Sequence, residues 1–356
     1  MTVLLGFAAA ALAGWLGVLL GTARAWDLRP IGEDGPASPE PPSWPTVAVL
    51  VPARNEASLL PCTLPALRAQ DYPREFRVVV VDDRSTDGTG ELATVRGAEL
   101  PAGWVGKVWA LEQARRAAGE PDYYLLTDAD ILLAPHSLRR LVAESEAAGL
   151  VLDSRMARLH CESPVEKLLI PPFVYFFNLL YPMRRVNRRP AAAGGCMLVR
   201  RDALERAGGF DRIADRVIDD VSLARVLARQ GPIRLAVSRA DVASLREHDF
   251  RGMWRMVRRT AFTQLRRSWA LLGVTIALLL LLFAVPPVIT IVAAARGDGP
   301  ALTLAATDWA LLTALYLPTV RYFRLFPLWT LTLPLAACLY GAMTVDSAAG
   351  GHHGAW

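Results

Sequence analysis

No charged side chain occurs between Met1 and Ala23, and two more uncharged runs, Ser268 to Ala295 and Leu325 to Val345, lie towards the other end of the chain. An α-helix needs about 20 apolar residues to cross the hydrocarbon core of a bilayer. These runs therefore constrain the fold more than any other feature: both ends form membrane helices, and the rest must fold between them. A further stretch, 301–320, has the length of a span but carries Asp308, and an ionisable group within hydrocarbon is costly. Segment 1–23 lacks the basic start of a signal peptide and is long for one, which favours an uncleaved anchor. The expected C-terminal spans are 268–295, 301–320 and 325–345, followed by a tail over 346–356.

Hydrophobic residues make up 53% of the 356 residues and charged residues 21%, but the apolar excess sits at the ends, and the centre alternates as a soluble α/β protein does. The net charge of +5 comes largely from arginines, clustered in RRVNRR (184–189) and RGMWRMVRRTAFTQLRR (251–267). Lying beside apolar runs without a zinc finger or other DNA-binding motif, these clusters read as membrane-surface and topology determinants, and no nucleic-acid partner is expected. Arginines after the first span, before Ser268 and in RYFR (321–324) put those flanks in the cytoplasm. The expectation is a multi-pass inner-membrane protein whose central domain faces the cytoplasm, with its N-terminus and the tail bearing His352 and His353 outside. Cys62, Cys161, Cys196 and Cys338 form no CxxC pair, which fits a reducing compartment.

Residues 24–45 contain PIGEDGPASPEPPSWP (30–45), a tether rich in Pro, Gly and acid, so a globular domain is expected over 46–267. Within it TVAVLVPA (46–53), FRVVVVDD (76–83), YYLLTDAD (123–130) and GLVLDSRM (149–156) read as strands, and helical patterns separate the first three. That alternation specifies an α/β fold with a doubly wound, mainly parallel sheet, which binds ligands beyond the carboxyl ends of its strands. KLLIPPFVYFFNLLYPMRR (167–185) is short for a span and interrupted by Pro171 and Pro172. An interfacial helix is expected there, with an ordinary buried helix as the alternative.

Two of the strands end in carboxylates, Asp82 with Asp83 and Asp128 with Asp130. Four acids at one sheet edge raise one another's pKa values unless something cationic or hydrogen-bonding lies between them, and a hard divalent cation bridging phosphates would serve. Taken as extended, Asp128-Ala129-Asp130 points both carboxylates one way, which suits a metal or its waters. An Asx-capped turn at a strand end has the same spacing. In VVVVDDRSTDGT (78–89) an apolar strand runs into acids and then into a turn able to cap a helix. Asp82 and Asp83 there can accept hydrogen bonds from a base and ribose, or merely cap the loop.

VPARNEA (51–57), VDDRSTDGT (81–89), GKVWAL (106–111), TDAD (127–130), GGCMLVRRDALERAGGF (194–210) and VIDDVSLARVL (217–227) occur in an order and spacing that resemble the family 2 inverting glycosyltransferases of GT-A fold, over residues 46 to about 270. The resemblance implies that Pro52, Ala53, Asn55 and Glu56 line the pocket of a nucleotide-sugar donor, a UDP-sugar first of all, and that Asp83 with Asp82 holds the base. It implies that Lys107 approaches the diphosphate, where a point cation suits a phosphate, and that Asp128 and Asp130 hold ribose and Mg²⁺ or Mn²⁺, the ion neutralising the departing nucleoside diphosphate. Asp220 matches the family's general base, with Asp219, Gly194 and Gly195 on the acceptor side. From the residues alone, Asp220 serves equally as an N-cap carboxylate opening VSLARVLARQ.

Processive members of the family carry QxxRW after the base. Here Gln264, Arg266 and Arg267 keep the Gln and Arg but the Trp is displaced to Trp269, which disfavours polymer synthesis and leaves these residues either at the acceptor side or as a cytoplasmic flank. The N-terminal span, the 167–185 helix, TAFTQLRRS and the C-terminal spans together resemble the hopene-associated glycosyltransferase subgroup, which implies a lipid acceptor, a hopanoid or a polyprenyl-type lipid. The competing readings are a processive polysaccharide synthase and a membrane scaffold or transporter with a regulatory nucleotide-binding domain, the latter supported by Asp308. No residue pattern fixes an oligomeric state.

Overall fold

The computed structural model describes residues 2–21, 24, 26, 28, 38–239 and 241–350; most of the Pro-rich tether and the end of the tail, with His352 and His353, lie outside the described residues. The chain divides into two units, one of residues 1–28, 161–184 and 248–353, the other of residues 29–160, 185–247 and 354–356. Segments 161–184 and 248–267 thus cluster with the apolar helices, one inside and one at the end of the range 46–267 expected for the globular domain.

In the second unit the strands are β1 (Val47–Ala53), β2 (Phe76–Asp82), β3 (Val95–Arg96), β4 (Tyr123–Thr127), β5 (Ile131–Leu133), β6 (Leu152–Met156), β7 (Cys196–Arg200), β8 (Ile233–Val237) and β9 (Val242–Ser244). Seven form one sheet in the order β3-β2-β1-β4-β7-β6-β8, and β5 pairs with β9. β1 runs parallel to both β2 and β4, and β6 parallel to β8, while β7 is antiparallel to its two neighbours. The sheet is therefore mixed but mostly parallel, as the alternating pattern predicts. β1 is buried at every position, which is why it reads as an unbroken apolar run.

Pro52 is tolerated in this central strand because β4 pairs only with Val47–Leu50, so no ladder bond on that side asks for its missing N–H. Val49, Val51, Leu60, Leu64, Leu125, Leu138 and Leu198 share one core, each worth about 1.5–3 kcal/mol of burial. Leu125→Ala there would cost about 2–5 kcal/mol. The helices Leu60–Arg68 and Gly106–Ala118 return the chain so that β1, β2 and β4 all point their carboxyl ends the same way.

The first unit contains four helices long and apolar enough to cross a membrane, Val3–Gly21, Trp269–Arg296, Gly299–Tyr322 and Pro327–Ala349. Pro286 and Pro287 sit inside the second of these, preceded by a π-helical turn over Leu280–Ala284. Pro286 has no N–H to offer the carbonyl of Leu282, and the indole Nε1 of Trp15 donates to that oxygen instead, at 2.9 Å. The helix Pro164–Leu180 opens with a capping box of Ser163 and Glu166. It is not the interfacial helix expected over 167–185: Leu169, Ile170, Val174 and Tyr175 are at most 1% exposed, and its aromatics stack edge-on against Phe283, Tyr316 and Tyr340. The aromatic content reflects packing among apolar helices. Asp308 is fully buried, and neither of its carboxylate oxygens has a hydrogen-bond partner among the described residues.

Candidate active site

The chain leaves β1 through Arg54 and Asn55, and the next turn is stitched to the loop that follows β2. Asn55 takes a left-handed φ of 56°, which Asn tolerates better than most residues, and its Oδ1 accepts a hydrogen bond from Thr86 N at 2.9 Å. Asn55 N donates to Ser85 Oγ, Glu56 N to Thr89 Oγ1 and Ala57 N to Asp87 Oδ2. This accounts for the Ser-Thr-Asp-Gly-Thr run: its side chains satisfy the amides that β1 presents as it ends.

Pro52 and Ala53, expected to line a donor pocket, have buried side chains, so only their backbone is available to a ligand. Asp82 Oδ1 accepts from Ser85 N at 3.1 Å, and Asp83, 1% exposed, lies 3.5 Å from Arg54. Both carboxylates thus first serve the loop's own structure.

The carboxylates beyond β4 converge with others. Asp128-Ala129-Asp130 is a turn and not the extended tripeptide expected, because the chain reverses at once into β5. Its two side chains therefore take different partners. Asp128 Oδ1 lies 2.8 Å from Lys107 Nζ, which also lies 3.4 Å from Asp219 Oδ2. Asp130 Oδ2 accepts from Ser244 Oγ at 2.6 Å and lies 3.5 Å from Arg246 Nε, while Arg246 Nη2 reaches Glu56 Oε1 at 2.5 Å.

Gly195 O accepts from Thr127 Oγ1 at 3.0 Å, fastening the turn to β7. At Gly194 a Cβ would stand 3.3 Å from Lys107 Nζ and 3.5 Å from Asp220 Oδ2, so the glycine lets the backbone approach, and its N–H donates to that same Oδ2 at 3.0 Å. Asp220 Oδ1 accepts from Val221 N at 2.7 Å. Asp220 is not an N-cap: the helix Asp219–Leu227 begins after Ile218, and both acids lie in its first turn, where the macrodipole favours negative charge.

Five carboxylates, those of Glu56, Asp128, Asp130, Asp219 and Asp220, thus face two cations, Lys107 and Arg246. The shortage of positive charge shows in their protonation. Burial, reinforced by Asp219, pushes Asp220 up to about 7, against the pull of Lys107. Burial also raises Asp128, with Asp130 and Asp219 adding to it, and raises Glu56. Burial works against the charge on Lys107, but Asp128 and Asp219 outweigh it and keep the ammonium protonated.

Two buried oxygens of the cluster, Glu56 Oε2 and Asp219 Oδ2, have no hydrogen-bond partner among the described residues, although the second lies 3.4 Å from Lys107 Nζ. A divalent cation suits this cluster. No group of three or more His, Cys, Asp or Glu side chains placed to hold a metal ion occurs among the described residues, so an ion at Asp128 or Asp130 would need phosphate and water to complete its shell, as Mg²⁺ in particular prefers.

Ser244 and Arg246 join the cluster, and sequence reading misses them: their position depends on β9 pairing Ser244 opposite Ile131, and nothing local announces that. Gln264, Arg266 and Arg267 belong to the helical unit. There Gln264 Oε1 accepts from Tyr181 Oη at 2.7 Å, and the two arginines, at φ 54° and 57°, close the Phe250–Gln264 helix.

Residues 48–208 match the family described as Glycosyl transferase family 2. An undecaprenyl-phosphate mannosyltransferase of Micrococcus luteus is 36% identical over 124 residues, 31% of this chain and 48% of that protein. An N-acetylglucosaminyltransferase of Mesorhizobium japonicum is 30% identical over 187 residues, 48% of this chain and 43% of that protein. The chain thus spans under half the length of either relative. The mannosyltransferase PcManGT from Pyrobaculum calidifontis, solved in complex with GDP-Man and Mn²⁺, superposes with a TM-score of 0.57 at 26% identity over 95% of this chain and 99% of that one. The sheet and its helices thus share the fold of the glycosyltransferase PcManGT, and residues 48–208 match a family 2 glycosyltransferase domain.

Proposed function

We propose that the chain is a membrane-anchored enzyme that moves a sugar from a nucleoside diphosphate donor to a phosphorylated polyprenyl-type lipid at the cytoplasmic face of the inner membrane, by a single inverting displacement. The observation that carries this reading is the cluster of five carboxylates and two cations beyond β1 and β4. Asp128 and Asp130 would hold Mg²⁺ or Mn²⁺, which would neutralise the leaving diphosphate, and Lys107 adds a further positive charge. Asn55, Glu56 and the loop bearing Asp82 and Asp83 border the donor. The acceptor oxygen forms its bond to the anomeric carbon as the bond to the diphosphate breaks.

Asp220 receives the acceptor's proton. Burial and the neighbouring Asp219 raise its pKa, which makes it a stronger base than an ordinary carboxylate towards that proton. The lipid class is supported by the similarity to the undecaprenyl-phosphate mannosyltransferase of Micrococcus luteus and by the four apolar helices. Orientation follows from Arg24, Arg266, Arg267, Arg321 and Arg324 at the ends of those helices. A lipid alcohol, such as a hopanoid, is the second reading, favoured by Asp220 itself, because an alcohol needs a base throughout the reaction.

The test is to incubate the purified protein and Mn²⁺ with a panel of nucleotide sugars and either polyprenyl phosphate or a lipid alcohol, with mass spectrometry of the lipid. Donor turnover that no lipid stimulates would overturn the reading.

A further inference from the structure

The Trp269–Arg296 helix serves as a ruler of depth for the helices packed on it. Near its start, Leu272 clusters with Phe262 and Ala348. Next, a Cβ on Gly341 would lie 3.6 Å from Ile276 Cδ1 and 3.8 Å from Leu279 Cδ1. Leu282 and Phe283 cluster with Leu333 and Ala337, and Ile289 and Ala293 with Ala301 and Ala305. The Leu333–Ala349 helix therefore runs antiparallel to the first half of the ruler and begins near its middle. Leu282 lies about 15 Å beyond Leu272 at 1.5 Å per residue, half the thickness of a hydrocarbon core.

Its far end is fastened where the ruler starts. Trp254 Nε1 donates to Asp346 Oδ2 at 2.7 Å, Arg258 Nε lies 3.3 Å from the same oxygen, and Phe262 N donates to Ser347 Oγ at 3.0 Å. The Gly299–Tyr322 helix starts at the level of Ile289 and Ala293, passes Leu282 with Leu312 and Leu315, and so ends on the side of Leu272. Both ends of segment 323–349 thus lie at one face, although residues 327–349 have the length and composition of a span.

We propose that residues 323–349 form a re-entrant element, and that the recess between its first limb and the Gly299–Tyr322 helix binds the apolar chain of a phosphorylated lipid. The second part rests on the lipid-acceptor reading above. The recess measures about 530 Å³; Ala306, Ala310 and Ala314 line one side, Pro327, Leu328 and Leu331 the other. The hydroxyls of Thr313 and Thr330 donate to carbonyls of their own helices, so apart from the buried indole N–H of Trp309, which has no hydrogen-bond partner among the described residues, the lining is apolar.

One helical turn beyond Leu317, at the end of the recess, stands Arg321 on the same face. Arg321 and Arg324 are both exposed and form no ion pair among the described residues. A lipid whose chain fills the recess brings its phosphate to the level of these guanidinium groups, where charge-assisted bonds form. Re-entry also puts Ala349 on the same membrane face as Arg267, Arg321 and Arg324, opposite to the side expected from counting spans.

Two measurements test this. A reporter fused after Trp356 is expected to be active only in the cytoplasm; periplasmic activity overturns the re-entrant path, and this readout holds whatever the enzyme's substrate. Ala310→Phe and the milder Ala314→Leu fill the recess and are expected to raise KM for a long-chain polyprenyl phosphate roughly tenfold, by withdrawing buried methylenes. KM for a short, water-soluble prenyl phosphate and the Kd for the donor stay at parental values. Arg321→Gln with Arg324→Gln is expected to raise KM for both chain lengths. Unchanged long-chain KM in both recess variants, or an equal rise for the short acceptor, overturns the site. Absence of lipid glycosylation by the parent protein would instead sink the lipid reading while leaving the reporter result standing.

Discussion

Replacing Asp220 by Asn keeps the size of the side chain and an oxygen for the N–H groups of Gly194 and Val221, 3.0 and 2.7 Å from the carboxylate, but removes the ability to take a proton. The size of the loss depends on how much of the acceptor still carries one. For a lipid phosphate with a second pKa of about 6, half is ionised at pH 6 and nearly all at pH 8. Asp220, raised to about 7, is itself mostly protonated at pH 6, so with the lipid phosphate the variant's kcat is expected to stay within about twofold of the parent's from pH 6 to 8. KM for the lipid phosphate should fall as well, because one of five clustered negative charges is gone. With a lipid alcohol the base is needed at every pH, and the expected loss in kcat is about 10²–10⁴-fold.

The assay is transfer of radiolabelled sugar to each acceptor from pH 6 to 8, with donor affinity measured by calorimetry. Donor Kd should be unchanged, since Asp220 is tied to Gly194 and Val221 and not to the turn after β1. A hundredfold loss with the lipid phosphate at pH 8 would refute the reasoning, because nothing is then left to deprotonate and Asp220 must be acting through the position of Gly194.

Asp130→Ala is expected to abolish the Mn²⁺-dependent part of donor affinity, read by titrating nucleoside diphosphate with and without the ion; normal metal-dependent affinity would remove Asp130 from the ion's shell. Arg246 sits on Asp130 and Glu56 and must yield to an arriving cation, so Arg246→Ala is expected to tighten nucleotide-free Mn²⁺ binding roughly tenfold; weaker or equal binding by calorimetry would contradict this. Because Asp220 shifts from 3.8 to about 7 on folding, the folded protein holds an extra proton between those values. The stability this group contributes is complete below the lower value and lost as pH rises through the upper one. Asp220→Asn should accordingly gain in melting temperature relative to the parent from about pH 5 to about pH 7 and gain nothing more above it; a pH-independent difference would argue against the shift.

How far the sequence discloses this site depends on whether each contact is local. β1, β2 and β4 are legible because buried parallel strands need unbroken apolar runs; the loop at 84–89 is legible as a turn, but its hydroxyls and Asp87 answer the amides of Asn55, Glu56 and Ala57, a pairing no local pattern announces. The acids Asp128, Asp130, Asp219 and Asp220 can be named from the chain, but their geometry cannot. Whether Asp128 and Asp130 point together depends on how soon β5 begins, and it begins at Ile131, directly after Asp130. Arg246 reaches Glu56 across 190 residues of sequence, and β9, which delivers it, is a three-residue strand with no pattern of its own.

The membrane part is legible in one dimension only. Hydropathy and length mark out the apolar helices, but residues 327–349 satisfy the same criteria as a crossing helix while Ser347 and Ala348 pack beside Phe262 and Leu272. Counting spans assigns a side to each loop by alternation, so a single re-entrant segment inverts everything after it. The arginine flanks do not expose this: Arg321 and Arg324 mark the face where the Gly299–Tyr322 helix ends, and nothing charged enough follows Asp346 to mark the other. Only the side-chain partners of the Leu333–Ala349 helix, taken in order along Trp269–Arg296, tell that it turns back.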